Sequence, residues 1–371
     1  MNRRSGKFIK TMTILFAGGG TGGHLYPAIA IAEELLKKDP NTKIVFVGTK
    51  DKIEARVVPQ KGFEFHTIWI SGFSRRLKID NIIFPLKVFV SLIQSLFVIT
   101  KVKPNVVLGT GGYVCGPILF VASLLGIPTV VHESNSYPGV TTKMLAGRVS
   151  KVFVQFDVTK QWLSSTASVE VVGNPTREEL SFVTRNEGCA FFNLEPNKRT
   201  VFVFGGSLGA ASINKVMPEI VNDAIANDYQ IIWQTGETDW QSANEIQQHK
   251  NIVVKKYIDR MDCGYAAADI VVSRSGATTL AELTRIGKPA ILVPYPFAAA
   301  NHQVMNAETL ADAGAALMIT DSELKNNLLS SIRELLFDDL KQKTMREKSL
   351  VLGKPNAGRE IAQKIIMLSK G

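Results

Sequence analysis

Cysteine is scarce in this chain: three in 371 residues, Cys115, Cys189 and Cys263, far apart and odd in number. They build neither a disulfide framework nor a metal cluster, and they fit a reducing cytoplasm. No Asp-x-Asp pair occurs, so neither an obligatory protein-bound metal nor another cofactor is expected. Acidic residues are outnumbered, 33 Asp and Glu against 43 Lys and Arg, for a formal net charge of +10. That balance favours anionic partners such as phosphorylated metabolites or acidic lipid headgroups. The basic residues are scattered and no nucleic-acid motif is present, which argues against nucleic acid. Long apolar runs are also nearly missing. After the basic Met1–Lys10 the first apolar run is about six residues, short of the roughly 7–15 of a secretory signal. Met1–Thr11 therefore reads as a frayed basic extension.

One run stands apart. Ile82–Thr100 approaches the ~20 residues of a spanning helix. Lys87, Ser91, Gln94 and Ser95 fall on one helical face within it, and a buried-strand pattern follows at once, at Val106–Leu108. The expectation is a sheet-covering helix with surplus apolar surface. Just upstream, Trp69, Ile70, Phe73, Arg75, Arg76, Leu77 and Lys78 mix apolar and basic side chains, as suits an anionic bilayer surface.

Glycine is plentiful and grouped. Gly18-Gly19-Gly20-Thr21-Gly22-Gly23-His24 and Gly205-Gly206-Ser207-Leu208-Gly209-Ala210 each follow an apolar run and precede a helical pattern. Strand, glycine turn and helix aim backbone N–H groups and a positive helix end at an anion. Around them short apolar strands alternate with helical patterns such as Ala28–Lys38 and Pro117–Leu125. Strands are expected at Thr13–Ala17, Lys43–Val47, Val106–Leu108, Pro128–His132 and Lys151–Val154. In the second half they are expected at Val201–Phe204, Gln230–Gln234, Ile252–Lys255, Ile270–Ser273 and Pro289–Pro294. The fold class is α/β: two parallel-sheet, Rossmann-like domains facing a central cleft. Gly173, Asn174 and Pro175 mark the joint, giving an N-terminal domain over 1–174 and a C-terminal domain over 175–355. The last helix, within 356–371, is expected to pack back on the first domain.

Chemistry is sought beyond the strand ends. Gly18, Gly20 and Gly23 satisfy GxGxxG, but the second strand reaches no acid until Asp51. A dehydrogenase, which needs a ribose-binding acid there, is disfavoured. His24 closes the first loop at a helix start, where the positive helix end keeps an imidazole neutral, as a general base requires. Tyr113, His132 and Glu133 follow other strands of the first half, and the base assignment stays open among His24, His132 and Glu133. In the second half, Ser273–Glu282 runs from strand through glycine turn into helix. Glu282 is placed to accept from a ribose diol, or, in the plainer alternative, to stabilise the helix start. Asn301, His302, Gln303 and Asn306 offer groups for sugar hydroxyls.

Six ordered motifs, GGGTGGH at Gly18–His24, GGYVCGP at Gly111–Pro117, HESN at His132–Asn135, GNPTR at Gly173–Arg177, GGSLGA at Gly205–Ala210 and RSGATTLAE at Arg274–Glu282, closely resemble the MurG family. These are UDP-N-acetylglucosamine transferases acting on the peptidoglycan precursor lipid I. The resemblance implies the GT-B glycosyltransferase architecture, with the acceptor chiefly on the N-terminal domain and the donor on the C-terminal one. It implies inverting transfer of N-acetylglucosamine from UDP-GlcNAc to the muramyl 4-hydroxyl of lipid I, giving lipid II. The setting it implies is peripheral, on the cytoplasmic side of the cell (inner) membrane. Thr21, Gly22, Gly23, Asn135, Arg177, Ser207, Ile258, Ala277, Thr278, Thr279, Leu280, Ala281, Glu282 and Gln303 match donor-contacting positions. Ile258 would offer backbone groups to uracil, Glu282 would bind ribose and Ser207 the diphosphate. His24 and Tyr113 match positions acting near the acceptor. Leu208 and Ser134 stand where the family usually has Gln, and Thr142 where it has Asn. A UDP-sugar epimerase on the same frame would need more acidic and histidine groups around the sugar. A non-catalytic nucleotide-sugar subunit would normally lack one half.

Overall fold

The computed structural model describes residues 11–72, 79–206, 208–237, 239–244 and 249–370. Ser207 and the Phe73–Lys78 part of the proposed bilayer-facing segment lie outside the described residues. The chain divides into two compact units. One runs up to Ser134 and adds Pro138–Pro175 and the chain from Asn356 onward; the other comprises Asn135–Tyr137 and Thr176–Pro355.

The first unit is built on a seven-stranded parallel sheet. Its strands are β1 (Thr13–Ala17), β2 (Lys43–Gly48), β3 (Glu64–Thr67), β4 (Val106–Gly109), β5 (Thr129–Glu133), β6 (Lys151–Val154) and β7 (Val169–Val171), ordered 3-2-1-4-5-6-7. Alternate residues of β1 feed two cores. Ile14 and Phe16 pack under helices Gly22–Lys38 and Ala357–Leu368, while Leu15 and Ala17 pack under helices Ile79–Val102 and Cys115–Leu124. Continuous apolar strands are what a sheet covered on both faces requires. Helix Ala357–Leu368 contributes Ile361, Ala362 and Ile365 to this core, and Lys364 Nζ meets Glu170 on β7 at 2.8 Å. Helix Gly22–Lys38 starts well before Ala28 and contains Pro27. Proline there forfeits only one N–H bond near the helix start, so its φ is accommodated.

The apolar helix spans Ile79–Val102, and its polar stripe points inward. Ser91 and Ser95 are 0 % exposed, whereas Ile82, Phe89 and Phe97 are 80 %, 62 % and 67 % exposed. The serine hydroxyls donate to the carbonyls of Val88 and Ser91 in their own helix, at 2.7 and 2.6 Å. Gln94 Oε1 accepts the Trp69 N–H at 2.7 Å, and Lys87 Nζ donates to Ser71 Oγ at 3.1 Å. Small self-satisfied serines permit close packing on helix Cys115–Leu124. The apolar surplus is therefore turned outward. Ile70, expected among bilayer-facing residues, is instead buried in the core, while Trp69 is exposed.

The second unit holds a six-stranded parallel sheet of β8 (Thr200–Phe204), β9 (Gln230–Gln234), β10 (Ile252–Lys255), β11 (Ile270–Ser273), β12 (Ala290–Leu292) and β13 (Leu317–Met318). Its order is 10-9-8-11-12-13. Both sheets reverse direction beside their first strand, between β1 and β4 and between β8 and β11. In such sheets ligands bind beyond the strand ends at that reversal. The glycine loops after β1 and β8 sit there, as do the turns after β4 and β11.

Candidate active site

In the first unit the reversal brings His24 against the turn after β4. His24 Nδ1 lies 3.1 Å from the Thr110 carbonyl oxygen. A carbonyl only accepts, so Nδ1 carries a proton, and in the neutral ring the basic lone pair then falls on Nε2. Gly111 has φ +108°, and a Cβ on it would fall 2.3 Å from Nδ1. Only glycine allows the ring this seat. Tyr113 is exposed, with its ring against Gly72, where an added Cβ would come within 2.0 Å.

The first glycine loop carries an anion of its own. Glu54, fully buried, accepts from the N–H of Gly20 at 2.8 Å, and from the N–H and hydroxyl of Thr49 at 3.0 and 2.8 Å. The N–H groups of His24 and Leu25 turn back to the Thr21 carbonyl, both at 3.2 Å. Those of Gly22 and Gly23 open the helix without an intrahelical acceptor, with Thr21 exposed beside them.

His132 and Glu133 are deeply placed and serve neighbouring backbone. His132 is 0 % exposed; its Nε2 lies 2.9 Å from the Gly173 carbonyl, and burial lowers its pKa. Glu133 Oε2 accepts the Gly139 N–H at 2.9 Å and the Thr142 hydroxyl at 2.7 Å. Both side chains are thus engaged with neighbouring segments. Thr142 supplies the donor for Glu133 where the family usually has Asn. Ser134, standing for a usual Gln, donates to Asn174 Oδ1 at 3.2 Å. Cys115, beside the same turn, is buried with its thiol pushed up to about 12 by desolvation, and it donates to the Ala17 carbonyl at 2.9 Å. It is a packing residue.

In the second unit, helix Ala277–Ile286 begins after Gly276 with no side-chain cap. The Leu280 N–H is the first to bond back, to Gly276 at 3.0 Å. Ala277, Thr278 and Thr279 therefore present open N–H groups at a positive helix end, a ready anion seat. Leu280 and Ala281 are buried, and the Leu280 N–H is already used. Glu282 follows on this helix. It is buried, and Tyr265 donates its hydroxyl to Oε2 at 2.9 Å while Arg177 Nη2 lies 3.5 Å from Oε1. Burial raises the Glu282 pKa, opposed by Arg177 and Tyr265.

Ile258 is buried and its N–H is held by Gln234 Oε1 at 2.8 Å, while Gln234 Nε2 donates to the Gly206 carbonyl at 2.9 Å. The Ile258 N–H is thereby already engaged. Leu208 is exposed in the same loop. Gln303 accepts the Tyr295 N–H through Oε1 at 2.9 Å and takes the Ser275 hydroxyl on its own carbonyl at 2.7 Å. Asn306, expected to meet sugar hydroxyls, is fully buried. It accepts the Ser136 N–H at 2.8 Å and donates to Asn135 Oδ1 at 3.2 Å and to the Ser275 carbonyl at 3.1 Å. It is a clasp for the Asn135–Tyr137 segment. His302 lies 2.8 Å from the Ala299 carbonyl, and Asn301 is exposed with φ +54°.

Sequence reasoning missed Glu54, Thr110, Gln234 and Tyr265. An amide ending the buried strand QIIWQ marks Gln234. Nothing local marks Tyr265, whose partner is 17 residues away.

Two parallel-sheet units with anion-ready helix starts at their reversals define a glycosyltransferase of two Rossmann-like domains. The glycosyltransferase family 28 N-terminal domain matches residues 14–154, and the family 28 C-terminal domain matches 200–365. A Flavobacterium psychrophilum protein named UDP-N-acetylglucosamine–N-acetylmuramyl-(pentapeptide) pyrophosphoryl-undecaprenol N-acetylglucosamine transferase is 41 % identical, covering 95 % of this chain and 97 % of that one. A Bacillus cytotoxicus protein of the same name is 39 % identical, covering 97 % and 100 %. The crystal structure of Acinetobacter baumannii MurG aligns with a TM-score of 0.76 at 25 % identity, over 96 % of this chain and 99 % of that one. An S. aureus MnaA–UDP structure, 15 % identical with a TM-score of 0.69 over 96 % of each chain, shares the fold alone. The chain belongs to the MurG family of glycosyltransferases.

Proposed function

We propose that this chain moves N-acetylglucosamine from UDP-GlcNAc to the muramyl 4-hydroxyl of lipid I, forming lipid II with inversion at the anomeric carbon. The observation that carries the reading is a relative named as an N-acetylglucosamine transferase for N-acetylmuramyl-(pentapeptide) pyrophosphoryl-undecaprenol, 41 % identical over 95 % of the chain. The local chemistry agrees with it. The acceptor oxygen attacks the anomeric carbon, the bond from that carbon to the diphosphate oxygen breaks, and UDP departs. His24 Nε2 takes the hydroxyl proton, a role worth about 10²–10⁴-fold in rate. Open N–H groups of Ala277–Thr279 receive the departing diphosphate, where fixed dipoles act without reorganisation. Glu282 accepts from the ribose and the Ile258 carbonyl from uracil. Arg177, Asn135, Gln303, Ser207 and the Thr21–Gly23 turn complete the donor contacts, and Tyr113 stands on the acceptor side.

The same reading places the protein peripherally on the cytoplasmic face of the inner membrane. Its support is the outward apolar face of helix Ile79–Val102; Leu124 and Leu125, at the end of the helix that packs on it, are exposed too. That helix is long and apolar enough to cross a bilayer by composition, yet its inward serines seat it on the domain. A run of large apolar side chains left exposed along one helix face is the signature of an interaction face. A basic protein lying on anionic lipid gains further from its charge.

The test is acceptor-dependent release of UDP from UDP-GlcNAc. The reading expects release that requires the lipid-diphosphate acceptor and a β-linked disaccharide product. Release without acceptor, or interconversion of the sugar nucleotide, contradicts it.

A further inference from the structure

We propose that Tyr265 is a positioning residue that sets the ribose selectivity of Glu282. The inference rests on the donor reading above. Tyr265 belongs to helix Met261–Ala267 and Glu282 to helix Ala277–Ile286, and both side chains are buried. The Tyr265 hydroxyl donates to Glu282 Oε2 at 2.9 Å. No other hydroxyl, amide or backbone donor holds that oxygen among the described residues. Tyr265 itself is held by rings. Phe202 and Phe204 of β8 meet it edge-on, with centroids 5.6 and 5.9 Å away and interplanar angles of 77° and 83°.

The two carboxylate oxygens are held unequally. Oε2 has a short bond from a buried, sterically fixed phenol. Oε1 faces Arg177 at 3.5 Å, beyond an ordinary hydrogen bond, from a side chain 55 % exposed. The tyrosine bond therefore fixes the rotation of the carboxylate, and Oε1 is the oxygen left for an arriving ligand. Arg177 is a displaceable neighbour of that oxygen. A carboxylate free to rotate would meet a vicinal diol in several poses and discriminate poorly against a ribose lacking one hydroxyl. Held by Tyr265, it presents one pose to the diol. The hydroxyl acts on selectivity while the ring acts on packing, so the two are separable.

The experiment measures binding of UDP, 2′-deoxy-UDP and 3′-deoxy-UDP to the full-length wild type, Tyr265→Phe, Glu282→Gln and the double variant, with melting temperatures and donor kinetics. The phenylalanine keeps the ring contacts. Wild type is expected to prefer UDP over at least one deoxy analogue. Tyr265→Phe is expected to shrink that preference by about tenfold, the scale of one hydrogen bond to a charged group. Donor KM is expected to rise by more than kcat falls. In the Glu282→Gln background, Tyr265→Phe is expected to change the preference no further. An undiminished preference in a folded Tyr265→Phe overturns the inference while leaving the donor reading standing. Absence of any preference in the wild type overturns both. Should Tyr265→Phe melt far below wild type, the three affinities are measured at a temperature where the variant is fully folded, and equal loss for all three nucleotides there overturns the inference.

Discussion

His24 Nδ1 donates to the carbonyl oxygen of Thr110 at 3.1 Å, across a gap that only the missing side chain of Gly111 leaves open. The bond fixes the tautomer and aims the ring. Gly111→Ala would place a Cβ 2.3 Å from Nδ1 at a φ of +108°, so the ring must move. We expect kcat to fall by about 10²-fold or more, as for loss of a positioned base, with donor affinity nearly intact because neither Gly111 nor the His24 ring is among the proposed donor contacts. His24→Ala should show the same split. Steady-state kinetics with separate nucleotide titration checks it, and equal loss of donor binding would contradict the role.

Glu54 organises the first glycine loop from inside. Glu54→Ala removes the shared acceptor of the Gly20 N–H and two Thr49 donors, in bonds that are part-buried, with Gly20 exposed and Thr49 half-buried. We expect a loss of about 1–2 kcal/mol, the scale of a lost hydrogen-bonding centre whose donors water can reach, measured by urea unfolding. A change under about 0.5 kcal/mol, typical of a surface position, would contradict the role.

The outward face of helix Ile79–Val102 gives a binding prediction. Phe89→Asp and Phe97→Asp remove exposed apolar surface without touching the buried serines. Each should weaken association with anionic vesicles by roughly tenfold or more, on the scale of burying one aromatic side chain. Melting temperature and donor binding should hold. Vesicle sedimentation is the measurement, and unchanged sedimentation contradicts the docking face.

Lys288 gives a pH prediction. Burial pulls its pKa from an ordinary 10.5 down to about 8, and its ammonium donates to the Ala268 carbonyl at 2.6 Å. The folded state favours neutral lysine, so the unfolded chain binds more protons between those values, and stability rises with pH across that window. Below about 8 the lysine is charged in both states, so the full cost of burying its ammonium stands and stability no longer changes with pH through this group. The stability of wild type minus Lys288→Met should therefore increase from pH 8 to 10.5, by chemical denaturation at each pH. A flat or falling difference contradicts the shifted pKa.

Both parallel sheets were legible because their central strands are continuous apolar runs bounded by glycine. The edge strands β3, β7 and β13 were not, since EFHT, VEV and LM are short and only partly buried. A strand covered on one side leaves little apolar signature. The serine stripe of the long helix was visible, but its direction was not. Serine on a helix face reads as solvent-facing until the hydroxyls bond their own backbone. His132, Glu133 and Asn306 show the same limit within the site. Polar residues beyond strand ends were rightly noticed, yet the backbone groups that claim them come from distant segments, such as Gly173, 41 residues from His132. Sequence order carries chemistry; it does not say which donors are already taken.

The most direct measurement follows the sugar itself. Wild-type protein is incubated with UDP-GlcNAc labelled in the sugar and a lipid-diphosphate muramyl peptide in vesicles. The account predicts label in a lipid-linked disaccharide, formed in step with UDP. Label that stays in the aqueous phase, as free sugar or altered sugar nucleotide, would contradict it.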